Sequence, residues 1–492
     1  MTGAQYIESL KRRRIQVYAF GRRVEQVVGD PLFQPHIEAA ALTYDLAHDP
    51  DHRGLATAES HLSGKVVNRF AHVHQSPADL VKKIKLLRLL GQKTGTCFQR
   101  CVGFDALNAV NSVTFEMDER LGTDYHRRFS DYLRYVQDND LMLAGSMTDP
   151  KGNRGLKPSQ QADPDLYVRV VERRPDGIVV RGAKVHQTGM INSHEFLVMP
   201  GQALGPEDAD YAVCFALPVD APGVIHVFGR QTNDTRRLEA SAGPARDAAS
   251  PTWTDTGNPR YGAVGGEAIT ILSDVFVPRE RVFMCGEHQF AGLLVERFAT
   301  YHRANYGGCK AGVADVITGA SAAVARSNGV EKAHQVRDKL AEMVHLTETA
   351  YAGSIAASAE AGPLPSGQYF VDPLLANTVK LNITRFIFEI GRLAQDITGG
   401  LLATLPSAAD FAHPETGSLL TKYFRGADPV STEHRVKLVR LIEHLSGGTA
   451  LVESLHGAGS PQAQRVMILR QGRLEEKEKL AEELITPSEG RQ

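Results

Sequence analysis

Apolar residues recur at helical spacing through most of the first 144 residues. In HQSPADLVKKIKLLRLLGQ, Leu80, Val81, Ile84 and Leu87 follow that spacing, Ser76 stands where a cap is needed, and Pro77 suits the first helical position. From 145 to 285 the period changes. LYVRVVERRPDGIVVRGAKV reads as two strands around a Pro-Asp-Gly turn, and YAVCFALPV, GVIHVFG and EAITILSDVFVP are further strand candidates. Between the last two, LEASAGPARDAASPTWTDTGNPRYGAVGG is rich in Gly, Ala, Ser and Pro and reads as a surface loop or insertion. Helical spacing returns after 286. Val336, Leu340, Met343 and Leu346 form one stripe, and DPLLANTVKLNITRFIFEIGRLAQDITGG ends on paired glycines, as helices commonly do. The order predicts an α+β molecule: a helical domain over 1–144, a β domain over 145–285 and a second helical domain over 286–492. There is no internal repeat and no low-complexity segment.

Composition narrows the function classes. The chain has 492 residues, 42% of them hydrophobic and 23% charged, with a formal net charge of −2. These are values of an ordinary globular protein, and so small a charge makes no electrostatic case for nucleic acid or an anionic membrane. MTGAQYIESLKRRRIQVYAFG has basic residues but no apolar signal core behind them, and no run of about 18 apolar residues occurs. Five cysteines in so long a chain argue against a disulfide framework. The expectation is a cytoplasmic protein with reduced thiols.

Two of those five cysteines stand close together. GTCFQRCVGFDA holds Cys97 and Cys101, while Cys214, Cys285 and Cys309 are scattered. Free cysteine often behaves as a small buried hydrophobe, so packing is one reading and a metal or cluster site the other. ERFATYHRANYGGCKAGVADV supplies candidate partners. In a helix His302, Tyr306 and Cys309 fall at i, i+4 and i+7, on one face at about 100° per residue. Cys97 and Cys101 share a face as well if CFQRC is helical. Gly307 and Gly308 each cost roughly 1 kcal/mol in a helix interior relative to Ala, which makes sense where a bulky group approaches the backbone closely. Three thiolates and one imidazole suit zinc or an iron–sulfur cluster. Neither half has the C-x-x-C form, and a helix-face His beside a Tyr is more often structural. Spacing alone leaves packing, zinc and cluster open.

Seven motifs spread nearly end to end extend the argument: AQYIESL, LLGQKTGTCFQRCVG, MTDPKGNRGL, VVRGAKVHQTGMINSHE, YHRANYGGCK, NITRF and HGAGSPQAQR. They resemble those of the 4-hydroxybutyryl-CoA dehydratase and vinylacetyl-CoA Δ-isomerase branch of the 4-hydroxyphenylacetate 3-hydroxylase flavoproteins. The aromatic monooxygenases of that wider family lack the cluster cysteines. The resemblance implies an acyl-CoA-dehydrogenase-like fold with a central β-barrel domain between helical domains, and a homotetramer with the flavin near a subunit interface. It implies FAD, a 4Fe-4S cluster held by Cys97, Cys101, His302 and Cys309, and a CoA-thioester substrate, with no nucleic acid or membrane partner.

The implied reaction removes water from 4-hydroxybutyryl-CoA to give crotonyl-CoA. The C3 hydrogen of the substrate lies one carbon too far from the thioester to be acidic, and the C4 hydroxyl leaves poorly. General acid–base catalysis supplies only about 10²–10⁴-fold, so the resemblance implies a radical route through FAD, with iron as Lewis acid for the hydroxyl. Glu267 and Glu453 match family carboxylates and are candidate proton acceptors or positioners. Read without the resemblance, both are ordinary surface carboxylates. His302 is the other candidate base. Tyr306 is a candidate donor to the leaving hydroxyl, Lys310 a stabiliser of negative charge, and Gln99 a support for the ligands. Flavin contacts are implied for Met147, Thr148, Asp149, Lys151 and Arg154 in one polar loop; for His186, Gln187 and Thr188, the last as partner of the reactive flavin nitrogen; and for Arg230, Gln231, Gln395, Gly399 and Gly400. No G-x-G-x-x-G fingerprint occurs, so a Rossmann site is not expected. HGAGSPQ reads equally as a helix entry, with Ser460 as cap and Pro461 in the first turn, or as a ligand loop. The 239–266 loop looks longer than the family pattern, close to Glu267. Cys214 and Cys285 fall outside the motifs and read as packing residues. Two other classes stay open: an aromatic monooxygenase of the 4-hydroxyphenylacetate type using reduced FAD, which needs no cysteines, and a non-catalytic cluster or zinc protein, which needs no flavin residues.

Overall fold

The computed structural model describes residues 1–242, 253–262 and 265–485. Ten strands build its two main sheets: β1 (Val17–Ala19), β2 (Arg22–Val24), β3 (Leu143–Ser146), β4 (Arg169–Arg174), β5 (Gly177–Gln187), β6 (Glu195–Val198), β7 (Val213–Pro218), β8 (Val224–Phe228), β9 (Ala268–Pro278) and β10 (Val282–Cys285). The six-stranded sheet runs β2-β1-β8-β9-β5-β4, and the four-stranded sheet runs β10-β7-β6-β3. The Pro-Asp-Gly turn joins β4 to β5 as an antiparallel hairpin, as its residues predict. The implied barrel is not formed: among the described residues both sheets are open. A barrel needs every strand to find a neighbour on each side with a constant stagger, whereas the edge strand β2 has only three residues and pairs with β1 alone.

The helical segments also form, with one extension. Strands β1 and β2 lie in the largely helical N-terminal stretch, yet Val17 pairs with His226 of β8 and so joins the central sheet. A continuous apolar core accordingly runs from the N-terminal helices through both sheets. The helices that matter for the site are α1 (Gln34–Asp45), α2 (Pro77–Thr94), α3 (Cys101–Leu121), α4 (His288–Ser327), α5 (His334–Ala359), α6 (Pro373–Ile397), α7 (Thr432–Ser446), α8 (Gly448–His456) and α9 (Pro461–Gln471). Ser76 caps α2 by accepting from the Asp79 amide, and Pro77 opens it. Helix α4, 40 residues long, is the axis of the molecule: α2, α3, α5, α6 and α7 all pack on it. A second apolar core fills the bundle of α4 to α7. No helix among the described residues is long and apolar enough to cross a membrane.

The 239–266 loop is described only in part. Its residues 243–252 and 263–264 lie outside the described residues. In the described part, Asn258 donates to the Thr94 carbonyl at 2.9 Å, at the end of α2.

Candidate active site

Helix α2 stops at Gly95, whose left-handed φ of 62° ends it. Gln99 is left-handed too, at φ 71°, and α3 begins only at Cys101. CFQRC is therefore not helical. A turn, rather than a shared helix face, brings Cys97 and Cys101 within hydrogen-bonding reach of each other. Gln99 is fully buried and donates to the His36 carbonyl of α1 at 3.0 Å, while its side-chain oxygen has no hydrogen-bond partner.

Cys309 arrives from α4, more than 200 positions later in the chain, close enough that its charge bears on Cys101. The three thiols differ. The hydrogen bond from Cys101 pulls Cys97 below the usual thiol range. That same bond, and then burial, drives Cys101 well up. Burial pushes Cys309 up to about 12.

His302, Tyr306 and Cys309 do lie on one continuous helix, as their spacing predicts. Tyr306 is buried and donates to Glu453 Oε1 at 3.3 Å, and Lys310 forms an ion pair with Glu453 Oε2. Burial opposes the Glu453 carboxylate, but Lys310, Lys380 and His302 outweigh it and hold its pKa below the usual carboxylate range. Burial likewise opposes the Lys310 ammonium, and Glu453 with the nearby thiols raises its pKa instead. Lys380 of α6 completes the group. Its Nζ sits 4.2 Å from the Tyr306 ring centroid and donates to the Ser454 carbonyl at 2.7 Å; burial lowers it to about 7.

Glu267 behaves oppositely. It stands just before β9 and accepts from Thr188 Oγ1 at 2.7 Å. Burial pushes its pKa well above the usual range, against the Thr188 hydrogen bond, and the negative charges of Cys97 and Glu453 push it further. The two carboxylates implied by the motifs thus share one electrostatic neighbourhood in opposite protonation preferences.

His302 is engaged on one side. Its Nδ1 is 2.8 Å from Asp105 Oδ2, and the ring stacks on Phe298 at 5.7 Å. Asp105 lies one helical turn after Cys101 inside the very stretch that drew attention, yet it was not among the predicted residues. The signal was its i+4 spacing from Cys101 on α3.

The flavin-motif residues fall in separate groups. In one, Lys184 of β5 donates to the Met147 carbonyl (2.9 Å), Asp149 Oδ1 (2.6 Å) and the Met199 carbonyl (2.7 Å). Val185 N donates to the Thr148 carbonyl at 2.9 Å. This anchors the 147–155 loop beside His186, Gln187 and Thr188, with Thr148, Lys151, Arg154 and His186 exposed. Elsewhere, Gln231 is buried and donates to the Gly265 carbonyl at 3.0 Å, while Arg230 is exposed over Phe20. Gln395 donates to Ser446 just before α8 (3.2 Å to its carbonyl), and Gly399 and Gly400 lie exposed beyond the end of α6. The 457–461 segment is a helix entry, since Ser460 caps α9 and Pro461 opens it. Gly457 also lies against the Tyr306 hydroxyl, where no Cβ fits. Cys214 is buried in β7, as a packing residue should be, and Cys285 closes β10.

Among the described residues no three His, Cys, Asp or Glu side chains stand close enough together to hold a single metal ion. A tetrahedral zinc site needs that closeness. The donor set nevertheless suits an iron–sulfur centre chemically: three thiols, and an imidazole whose outer nitrogen is already bound to a carboxylate.

Models of the N-terminal and C-terminal parts of 4-hydroxyphenylacetate 3-hydroxylase match residues 2–284 and 291–486. The chain belongs to that family. Within the 4-hydroxyphenylacetate 3-hydroxylase family, it is 52% identical to a 4-hydroxybutyryl-CoA dehydratase/vinylacetyl-CoA-Δ-isomerase of Clostridium aminobutyricum, over 98% of each chain. The structure of an oxygen-tolerant archaeal 4-hydroxybutyryl-CoA dehydratase from N. maritimus matches with a TM-score of 0.93 and 49% identity, covering 98% of this chain and 94% of that one. The oxygenase component of a 4-hydroxyphenylacetate 3-monooxygenase, complexed with FAD, matches with a TM-score of 0.83 and 25% identity over 99% of each chain. The fold is therefore that of the hydroxylase family, a mixed helix-and-sheet architecture with open sheets.

Proposed function

We propose that this chain dehydrates 4-hydroxybutyryl-CoA to crotonyl-CoA and isomerises vinylacetyl-CoA to the same product, with FAD and a 4Fe-4S cluster bound. One observation carries the reading: Cys97 and Cys101 lie within electrostatic reach of Cys309 and of a Lys310–Glu453–Tyr306 group, in a family whose aromatic hydroxylation has no use for such thiols. Its relatives named as dehydratases support the same substrate. Cys97, Cys101, Cys309 and His302 are the residues that would hold the cluster; the loop of Met147, Thr148, Asp149, Lys151 and Arg154, with His186, Gln187 and Thr188, would meet FAD. When bound, the cluster supplies a Lewis-acidic iron and FAD supplies one-electron chemistry.

The chain's own carboxylates divide the proton work. Two titratable groups pushed in opposite directions mark base and acid. Glu453, favoured as the carboxylate by Lys310, takes the C2 proton; in dehydration the C3 proton leaves with the C4 hydroxide as water; and Glu267, favoured in its protonated form by burial, returns one proton at C4. Tyr306 donates toward the departing hydroxyl, and Lys310 keeps the charge of Glu453 balanced. A homotetramer belongs to the reading, because Arg230, Gln395, Gly399 and Gly400 are exposed in the single chain and available to a dinucleotide shared with a second copy. Five free cysteines suit a reducing cytoplasm.

Anaerobic purification followed by iron, acid-labile sulfide and flavin assays tests the reading, together with conversion of 4-hydroxybutyryl-CoA. Iron, sulfide and flavin should all be present. Flavin without iron would return the chain to the aromatic monooxygenases, and iron without flavin would make it a non-catalytic cluster protein.

A further inference from the structure

We infer that Asp105, held by Lys83, is a positioning carboxylate that dictates which nitrogen of His302 is offered to a metal centre. The inference rests on the function proposed above. Lys83 and Asp105 are 1% and 0% exposed, and Lys83 Nζ lies 2.5 Å from Asp105 Oδ1. An ion pair buried so completely is a poor source of stability, since apolar residues of similar volume usually pack as well. Its value must lie in what it holds. Asp105 Oδ2 accepts from His302 Nδ1 at 2.8 Å and from Asn305 Nδ2 at 2.6 Å. All three donors converge on one carboxylate, and two of them come from adjacent turns of α4.

The consequences follow from geometry. A carboxylate only accepts, so Nδ1 of His302 carries the proton and the lone pair of Nε2 is the one left for a metal. Phe298 stacks on the imidazole at 12° and Tyr306 meets it edge-on at 89°, so ring rotation is hindered on both sides. The bond also sets a register between helices. Cys101 and Asp105 are one turn apart on α3, while His302 and Cys309 are two turns apart on α4, so joining Asp105 to His302 brings the helix segment of Cys101 alongside that of Cys309. Lys83, contributed by α2, lies 4.9 Å from the Phe104 ring centroid and 5.5 Å from that of Tyr301, and ties a third helix to the same point.

The test uses the anaerobically reconstituted holoenzyme. Removing the outer partner of a metal-binding histidine typically costs 10–100-fold in metal affinity. Asp105→Asn should therefore lose cluster iron to excess chelator about 10–100-fold faster than the parent. The reduction potential of its cluster should also move upward, because a negative charge no longer enriches the imidazole. If Asp105→Asn does not fold, Lys83→Met/Asp105→Asn removes both charges together and should show the same two changes. The decisive comparison is in a His302→Cys background, where Asp105→Asn should add nothing to the rate of iron loss. Equal acceleration there would show that Asp105 acts through the fold and not through the imidazole, and an unchanged rate and potential in the folded single or double variant would likewise overturn the inference. A parent protein that holds no iron and sulfide would instead overturn the proposed function, and this inference with it.

Discussion

Glu453 and Glu267 show how much one neighbour decides for a side chain. Both are acids of the same type, yet Lys310 and Lys380 favour the ionised form of one while burial and nearby negative charge favour the protonated form of the other. If Glu453 handles a proton common to both reactions, Glu453→Gln should lower dehydratase and isomerase activity together. Tyr306→Phe removes only the hydroxyl, so it should hurt dehydration, which expels hydroxide, far more than isomerisation, which does not. Hydrogen bonds made to a transition state are worth about 2.7–4 kcal/mol in comparable sites, so parallel assays with the two CoA esters will separate the roles. Equal losses in Tyr306→Phe would put its hydroxyl on the shared proton path. Thr188 belongs to the same scale. Its hydroxyl donates to Glu267, although the motif resemblance implies the flavin as partner. Thr188→Val should leave flavin bound but remove a bond that favours the Glu267 carboxylate, so the pH profile of turnover should shift toward higher pH. A flavin potential that moves while the pH profile stays would favour the flavin contact. The thiols and His302 were legible as candidates because residue types and helical spacing mark them. Asp105 and Lys83 were not, because charged residues usually mark a solvated face and nothing local says that these two are buried.

Between helices, glycine decides the approach. In the sequence Gly307 and Gly308 predict room for a bulky group. The groups are neighbouring helices: a Cβ on Gly308 would stand 2.8 Å from the Ile84 carbonyl of α2, and one on Gly307 would collide with Ala350 and Ser354 of α5. From the other side, a Cβ on Gly91 of α2 would lie 2.5 Å from the Cys309 carbonyl. Ala in place of Gly gains about 1 kcal/mol of helix propensity in an open helix. Here the backbone is the obstacle and cannot rotate away, and overpacking costs about 1–3 kcal/mol. Gly91→Ala should therefore lower the thermal midpoint and, by moving Cys309, also lower the iron retained on reconstitution. A variant with a raised midpoint and full iron would show that α2 can retreat freely. The turn at Gln99 is the other element-scale decision. Spacing suggests a helical CFQRC, but Gly95 ends α2 first, and the chain must reverse before α3 can start.

At the scale of the whole molecule, several imidazoles are enclosed where no proton is welcome. Burial lowers His194 to about 3, His226 to about 4 and His444 to about 3, against an ordinary value of 6.5. A folded-state pKa below the unfolded one means that the stability these groups contribute is whole above about 6.5 and is lost as pH falls toward 3–4, because only the unfolded chain takes up the protons. Each such histidine should cost about 2 kcal/mol at pH 5 relative to neutral pH. Denaturant unfolding at pH 7 and pH 5 should show a clear fall in midpoint, and His226→Gln, which keeps a polar group beside Thr270, should reduce it.

The sequence by itself determined the succession of helical, strand-rich and helical segments, the hairpin at Pro-Asp-Gly, the cap at Ser76, and the helix face that carries His302, Tyr306 and Cys309. These are local properties, set by periodicity and by residues within a few positions of one another. Tertiary structure alone decided that the sheets stay open, that β1 leaves its helical surroundings to pair with β8, that α2 and α4 meet at their glycines, and that Lys83 and Asp105 are buried against His302. Each of those depends on which distant segment arrives alongside, and desolvation and backbone contact act through space, where one chain's pattern of neighbours carries no mark of them.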